Sequence, residues 1–266
     1  MSRIELCKKC VHKSFNENQD IICGLTQQEP NYEDICHKFD TNISQALNVE
    51  SLTPLKPNYD RAKFAQIFLY IILTIELFSV VSKFLQIDLL KDMINGVTIT
   101  IIEANLNDLR ELIISILYII AFTLSVVFFI MWFRRAYYNL HLRVKNLSCT
   151  EGWAAGAWFV PILNLFRPVI IMSELYRETK KYLIKNNRLN LNIPEFYIVI
   201  WWTMWIFIGF SENIINQLYK NSTKLQDLVE HSYLNIFTSI LNIILGFITI
   251  IIIKNYSKLE ELLIKK

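Results

Sequence analysis

Four long apolar runs constrain this chain more than any other feature: residues 64–87, 112–133, 196–210 with a polar extension to 218, and 233–253. A helix rises about 1.5 Å per residue. The first, second and fourth runs are therefore long enough to cross a hydrocarbon core of about 30 Å, and the third is so with its extension. Inside lipid every backbone N–H and C=O must be paired within the protein, which leaves only helices or closed barrels. The runs are continuous Ile, Leu, Phe and Val, without the period-2 alternation of barrel strands. The sequence predicts an all-α integral membrane protein with four transmembrane helices.

Composition agrees. Charged residues make up 19% of the chain, against roughly 25% in soluble domains. A net charge of +3 without a basic-aromatic stripe is too small to suggest nucleic-acid binding, and no nucleic-acid partner is expected. Residues 1–60 are polar, so no cleavable leader is expected and the first run starts insertion.

The positive charges set the topology. Between the second and third runs lie Arg134, Arg135, Arg143, Lys145, Arg167, Arg177, Lys180, Lys181, Lys185 and Arg188, against Glu151, Glu174 and Glu178. The other two connections carry Lys91 and Arg110, and Lys220 and Lys224. Lysine and arginine concentrate on the cytoplasmic side, so the long central loop and both termini are expected there. Segment 154–173 has the length of a span but contains Pro161, Asn164, Arg167 and Pro168. An arginine near a bilayer centre costs at least about 2.5 kcal/mol. The segment reads as an interfacial or re-entrant element between helices 2 and 3, with Trp153, Trp158 and Phe159 at headgroup level.

Four of the five cysteines, Cys7, Cys10, Cys23 and Cys36, stand ahead of the first run as C-x2-C-x12-C-x12-C. A C-x2-C pair presents two thiolates to one tetrahedral ion, and two later cysteines complete a closed, structural zinc site. Iron–sulfur ligation, disulfides or plain thiols are the alternatives, and His12 and His37 stand beside the ligands. Gly24 after Cys23 permits a tight turn. A peptide this short builds no stable core alone, so a metal staple explains how it folds. The expected organisation is a zinc-binding module at 1–40, a linker at 41–60, a membrane domain at 61–254 and a cytoplasmic tail at 255–266.

The stretch 132–181 reads WFRRAYYNLHLRV, then GWAAGAWFVPILNLFRPVIIMSELYRETKK towards its end. Its WFxRAYxN and GWAxGxWFVPIxNLxRPxxxMxELYR patterns resemble the bacterial membrane family catalogued as domain of unknown function 4328. The pattern includes Trp132, Arg135, Tyr137, Asn139, Gly152, Trp153, Gly156, Trp158, Pro161, Asn164, Arg167, Pro168, Glu174 and Arg177. The resemblance covers about 61–254. It implies four membrane helices and a membrane address, and no activity.

Physically, Gly152-x3-Gly156 forms a small-residue surface for close helix packing. Glu174 and Arg177, three apart on a helix, are placed to pair. Arg167, Arg177, Lys180 and Lys181 near Trp158 suit either lipid phosphates or ordinary flanking charge. Arg167 needs a fixed partner, and Glu174, Glu76 or a lipid phosphate are the candidates. Glu76 lies within the first run and needs a polar partner such as Asn213, Asn242 or an arginine; Lys83, nearer the run's end, can snorkel. Trp153, Trp158, Asn164, Arg167, Glu174, Arg177 and Glu76 are the candidate polar or lipid-headgroup site.

No P-loop, HExxH, GxSxG or GxGxxG motif occurs. The expectation is a non-enzymatic interaction or sensing module of the bacterial inner membrane, with membrane lipids and a protein partner or second copy as its partners. The alternative is a small oligomeric transporter or channel using Glu76 and the Arg167/Arg177 region.

Overall fold

The structure, a computed structural model, describes residues 7, 10, 12–16, 20–29, 36, 53–188 and 196–264. They fall into two units, Met1–Thr53 and Pro54–Lys266. In the first, β1 (Lys13–Phe15) pairs antiparallel with β2 (Ile21–Cys23), with Lys13 opposite Cys23 and Phe15 opposite Ile21. The connecting loop closes through Asp20 N, which donates to the Asn16 side chain at 2.8 Å. Gly24 N donates to His12 O at 2.6 Å. A Cβ at Gly24 would lie 2.9 Å from that same oxygen, so close backbone approach is what demands glycine here. His37 and most of the expected 41–60 linker lie outside the described residues.

The second unit is helical: α1 (Tyr59–Ile94), α2 (Ile101–His141), the short α3 (Trp153–Gly156), α4 (Arg167–Lys185), α5 (Phe196–Tyr219) and α6 (Leu225–Ile264). Two 3-10 turns, Ala157–Phe159 and Leu163–Leu165, separate α3 from α4. Helices α1, α2, α5 and α6 are long and apolar enough to cross a membrane. At 36, 41 and 40 residues, α1, α2 and α6 measure about 54 to 62 Å, twice the hydrocarbon thickness.

Local signals explain the ends. Gly96, at φ 81°, closes α1. Its N–H donates to Met93 O, and Val97 N to Asp92 O, the double bond of a Schellman turn. Thr100 and Glu103 then cap α2 reciprocally. Pro168 stands in the first turn of α4, where its missing N–H costs nothing.

Two sequence expectations change. Helix α6 runs on to Ile264, and Tyr256, Leu259 and Leu263 are buried, so 255–264 continues the last span as helix rather than leaving as a tail. The chain just ahead of α1 belongs to the helical unit, with Asn58 buried and Leu55 packed on the core.

Helix α1 packs along both α2 and α6, and α5 along the far side of α6. The dense core lies at one end, where Trp132, Phe133 and Tyr137 of α2 meet Met172, Leu175 and Tyr176 of α4 and Ile252, Ile253 and Tyr256 of α6. This end also carries Arg61, Arg134 and Lys254 and is the basic end below. A smaller cluster of Ile87, Leu90, Val229 and Ile236 closes the other end. Between them, large side chains such as Phe78, Leu117, Ile120 and Phe247 are exposed, as lipid-facing helices require.

Candidate functional site

The residues singled out in the sequence separate into distinct places. Glu174, on the inner face of α4, is the centre of one. The Tyr137 hydroxyl donates to its Oε2 at 2.6 Å, Ser148 Oγ to Oε2 at 2.8 Å, and Ser148 N to Oε1 at 2.8 Å. Three donors on a buried carboxylate satisfy a charge that is otherwise expensive. Arg167 is the neighbour of this network without touching Glu174. Its Nη1 lies 2.7 Å from the buried Cys149 sulfur, and its guanidinium stands 5.9 Å from the Trp153 ring centre. Cys149 N in turn donates to the Tyr137 hydroxyl at 3.4 Å. Glu174, one of the three candidate partners of Arg167, thus meets it only indirectly, through 148–149.

The expected Glu174–Arg177 pair does not form. Arg177 and Lys181 both reach Glu178, each at 2.9 Å. Burial tends to raise the Glu178 carboxyl, but Lys181 and Arg177 outweigh it and hold it below its ordinary value. Lys180 is buried, 5.9 Å from the Tyr176 ring centre. Arg167, Arg177, Lys180 and Lys181 therefore form no common phosphate cradle.

Trp158 is the hub of an aromatic cluster, edge-on to Phe129 at 5.6 Å and to Trp202 and Trp205 at 5.9 Å. This cluster joins α2 to α5 through the segment after α3. Trp202 Nε1 also caps that segment at Leu165 O, at 3.0 Å. The Asn164 Oδ1 is buried with no hydrogen-bond partner among the described residues. A Cβ at Gly152 would meet nothing within 4 Å, and one at Gly156 only its own Trp153 at 3.9 Å. The two glycines thus face open space, while Ala154 and Ala157 of the same small-residue stretch are fully buried and α3 packs on α2. The close approach is at Gly246 of α6, where a Cβ would lie 2.7 Å from Leu73 of α1.

Glu76 sits apart, buried near the middle of its apolar run. The groups around it come from all the other spans: Tyr118 of α2, Ser239 and Asn242 of α6, and the Glu212 carboxylate of α5. Asn242 donates to Glu212 at 2.9 Å, tying the two carboxylates into one polar cluster. Of the expected partners Asn242 is present, whereas Asn213 accepts from Gln217 and the arginines of the central segment lie elsewhere. Lys83 does not snorkel alone but pairs with Glu111 at 2.6 Å.

Sequence reasoning missed one network. Glu260 of α6 accepts from Asn58 at 2.9 Å and from Asn139 at 2.6 Å. Asn139 also holds the backbone of Lys56, accepting from its N at 3.0 Å and donating to its O at 2.9 Å. Asn139 lies in the central pattern, and that was its only signal. Glu260 stands beyond the last apolar run and looks like a solvated charge.

In the first unit, Cys10 N donates to Cys7 O at 3.1 Å, closing the turn between the paired cysteines. Cys23 ends β2, and its carbonyl accepts from Gln27 N at 2.7 Å. Both turns suit ligand loops. Among the described residues no group of three or more His, Cys, Asp or Glu side chains is gathered to hold a metal, and no disulfide joins the cysteines.

No curated protein and no solved structure matches the chain. A family model described as Domain of unknown function (DUF4328) matches residues 95–258. The match starts just past α1, later than the resemblance over 61–254 implies, and takes in α2 to α5 and most of α6. It spans more than half of the sequence: the chain belongs to this family of unknown function.

Proposed function

We propose that the protein is a non-enzymatic interaction or sensing module of the bacterial inner membrane, with both termini cytoplasmic and a zinc-stapled tail that engages a protein partner. One observation carries the reading. The chain entering α1 is held at Lys56 and Asn58 by Asn139 of α2 and Glu260 of α6. A rearrangement of α2 against α6, driven by lipid or a partner in the membrane, is therefore felt where the chain from the cysteines arrives. The central segment supports the same reading, because Glu174, Arg167 and Trp158 all hold neighbouring parts of the fold together. Phe159 and Ile162, more than 70% exposed, suit an interfacial position for this segment.

Zinc at Cys7, Cys10, Cys23 and Cys36 is supported by the two backbone turns and the glycine-backed third cysteine. Bound there, the ion supplies a tetrahedral cross-link in place of a core. Purified full-length protein should carry about one zinc per chain. Cys23→Ser should lose it, expose the tail to protease and abolish tail-dependent capture of a partner, leaving the helical unit folded. Zinc-free protein, or iron with visible absorbance, would refute the staple.

A second reading, a small oligomeric transporter, is favoured by the Glu76–Glu212 cluster, to which all four spans contribute. Flux in proteoliposomes that vanishes in Glu76→Gln and survives Cys23→Ser would select it over the first.

A further inference from the structure

At the basic end, a pocket of about 320 Å³ is bounded by Lys56, Arg61, Arg134, Arg135, Tyr138 and Glu151. The fold brings these cations together from three places. Lys56 comes from the strap that Asn139 clamps, Arg61 from the first turn of α1, and Arg134 and Arg135 from consecutive positions of α2. Lys56 Nζ stands 4.3 Å from the Tyr138 ring centre, with the Arg135 guanidinium 5.9 Å from the same ring. Arg61 Nη1 donates to Met131 O at 3.3 Å, and Arg135 and Arg134 are the charged neighbours acting on it. The pocket's one carboxylate, Glu151, pairs with Arg134 at 3.1 Å. Four cations line the cavity against Glu151, with the buried Glu260 facing Arg135 from outside the lining, which leaves an excess of positive charge around a single cavity.

Ordinary flanking lysines and arginines spread into water, where like charges repel least. Here they converge on one cavity, although Lys56 and Arg134 stay exposed, and an anion between them relieves their mutual repulsion. The depth of the pocket identifies the anion. Arg61 lies one turn before the apolar run of α1, and Arg134 directly follows that of α2. Met131, near the end of the apolar run of α2, is exposed and also lines the pocket. Guanidinium forks at this level match the oxygen geometry of a phosphate.

We propose that this pocket binds a phosphate group, and that the phosphate belongs to the headgroup of an anionic phospholipid in the adjoining leaflet. The site differs from the basic residues of α4, which have other partners. It does not rest on the tail's metal. Because Lys56 is both a wall of the pocket and part of the strap leading to α1, a bound headgroup also steadies the strap.

The test uses full-length protein in detergent, probed by native mass spectrometry with phosphatidylglycerol, phosphatidylcholine and inorganic phosphate in separate arms. Phosphatidylglycerol should be retained in preference to phosphatidylcholine. Arg61→Gln and Arg135→Gln should each weaken its retention about fivefold. Lys254→Gln, at the same end but outside the pocket, should leave it unchanged. Because Arg135 also faces Glu260, the exposed Lys56→Gln provides a second reading if the Arg135 variant does not fold. Equal retention by wild type and the pocket variants would overturn the site. Binding of inorganic phosphate without phosphatidylglycerol would overturn the lipid as its source.

Discussion

Glu174 and Arg177 are neighbours on α4 with opposite fates, and the difference is one of orientation. Glu174 faces inward and accepts from Tyr137 and from Ser148 twice, whereas Arg177 is half-exposed beside Glu178. Hydrogen bonds to a buried charge are worth about 1.5–3 kcal/mol each, and surface pairs about 0–1. Glu174→Ala should therefore lower the stability of the helical unit by roughly 2–3 kcal/mol. Arg177→Ala should change it by less than about 0.5 kcal/mol. Thermal unfolding in detergent measures both; equal tolerance would mean that the Tyr137–Ser148–Glu174 network does not hold the basic end together. The sequence marks both residues as belonging to a distinctive pattern. It does not say which points inward, because α4 begins only after two 3-10 turns whose geometry sets the helix's rotation.

Among the elements, α6 teaches most. Hydropathy reports where a helix leaves hydrocarbon, not where it ends, so Lys258, Glu260 and Glu261 read as a tail although the helix continues to Ile264. Its close partner is α1, and Gly246 is the point of contact with Leu73. Gly246→Ala should destabilise the unit by about 1 kcal/mol, since the Leu73 side chain must move. Gly152→Ala and Gly156→Ala should be neutral or slightly stabilising, because both glycines have helical backbone and open space around them. Loss of stability in the Gly152 and Gly156 variants alone would restore the small-residue pair as a packing surface. Within that stretch Ala154 and Ala157 are buried rather than the glycine pair, because a G-x3-G spacing fixes a shared helix face and α3 is only four residues long.

The helical unit has its dense core at the basic end and a smaller cluster at the other, with exposed apolar side chains between them. In the proposed topology, which rests on the lysine and arginine bias, that end faces the cytoplasm. Reporter fusions after Lys266 and within 177–188 should report the cytoplasm, and fusions near 97–99 and 221–223 the periplasm. A periplasmic carboxyl terminus would show that 154–173 crosses the membrane, although it forms one short helix, two 3-10 turns and only the start of α4.

What the sequence by itself determined is the number of spanning helices and their approximate places. Apolar length is a local property, and lipid leaves the backbone no alternative partner. It also singled out Glu76, since a carboxylate within an apolar run is conspicuous without any coordinates. The tertiary structure decided which polar groups meet. Glu260 finds Asn58 across 202 positions and Asn139 across 121. Glu76 gathers groups from α2, α5 and α6, and Lys56, Arg61, Arg134 and Arg135 close on one pocket. Such meetings depend on the rotation and depth of each helix, set by the packing of Trp132, Tyr137, Trp158 and Tyr256 together. No single segment carries that information.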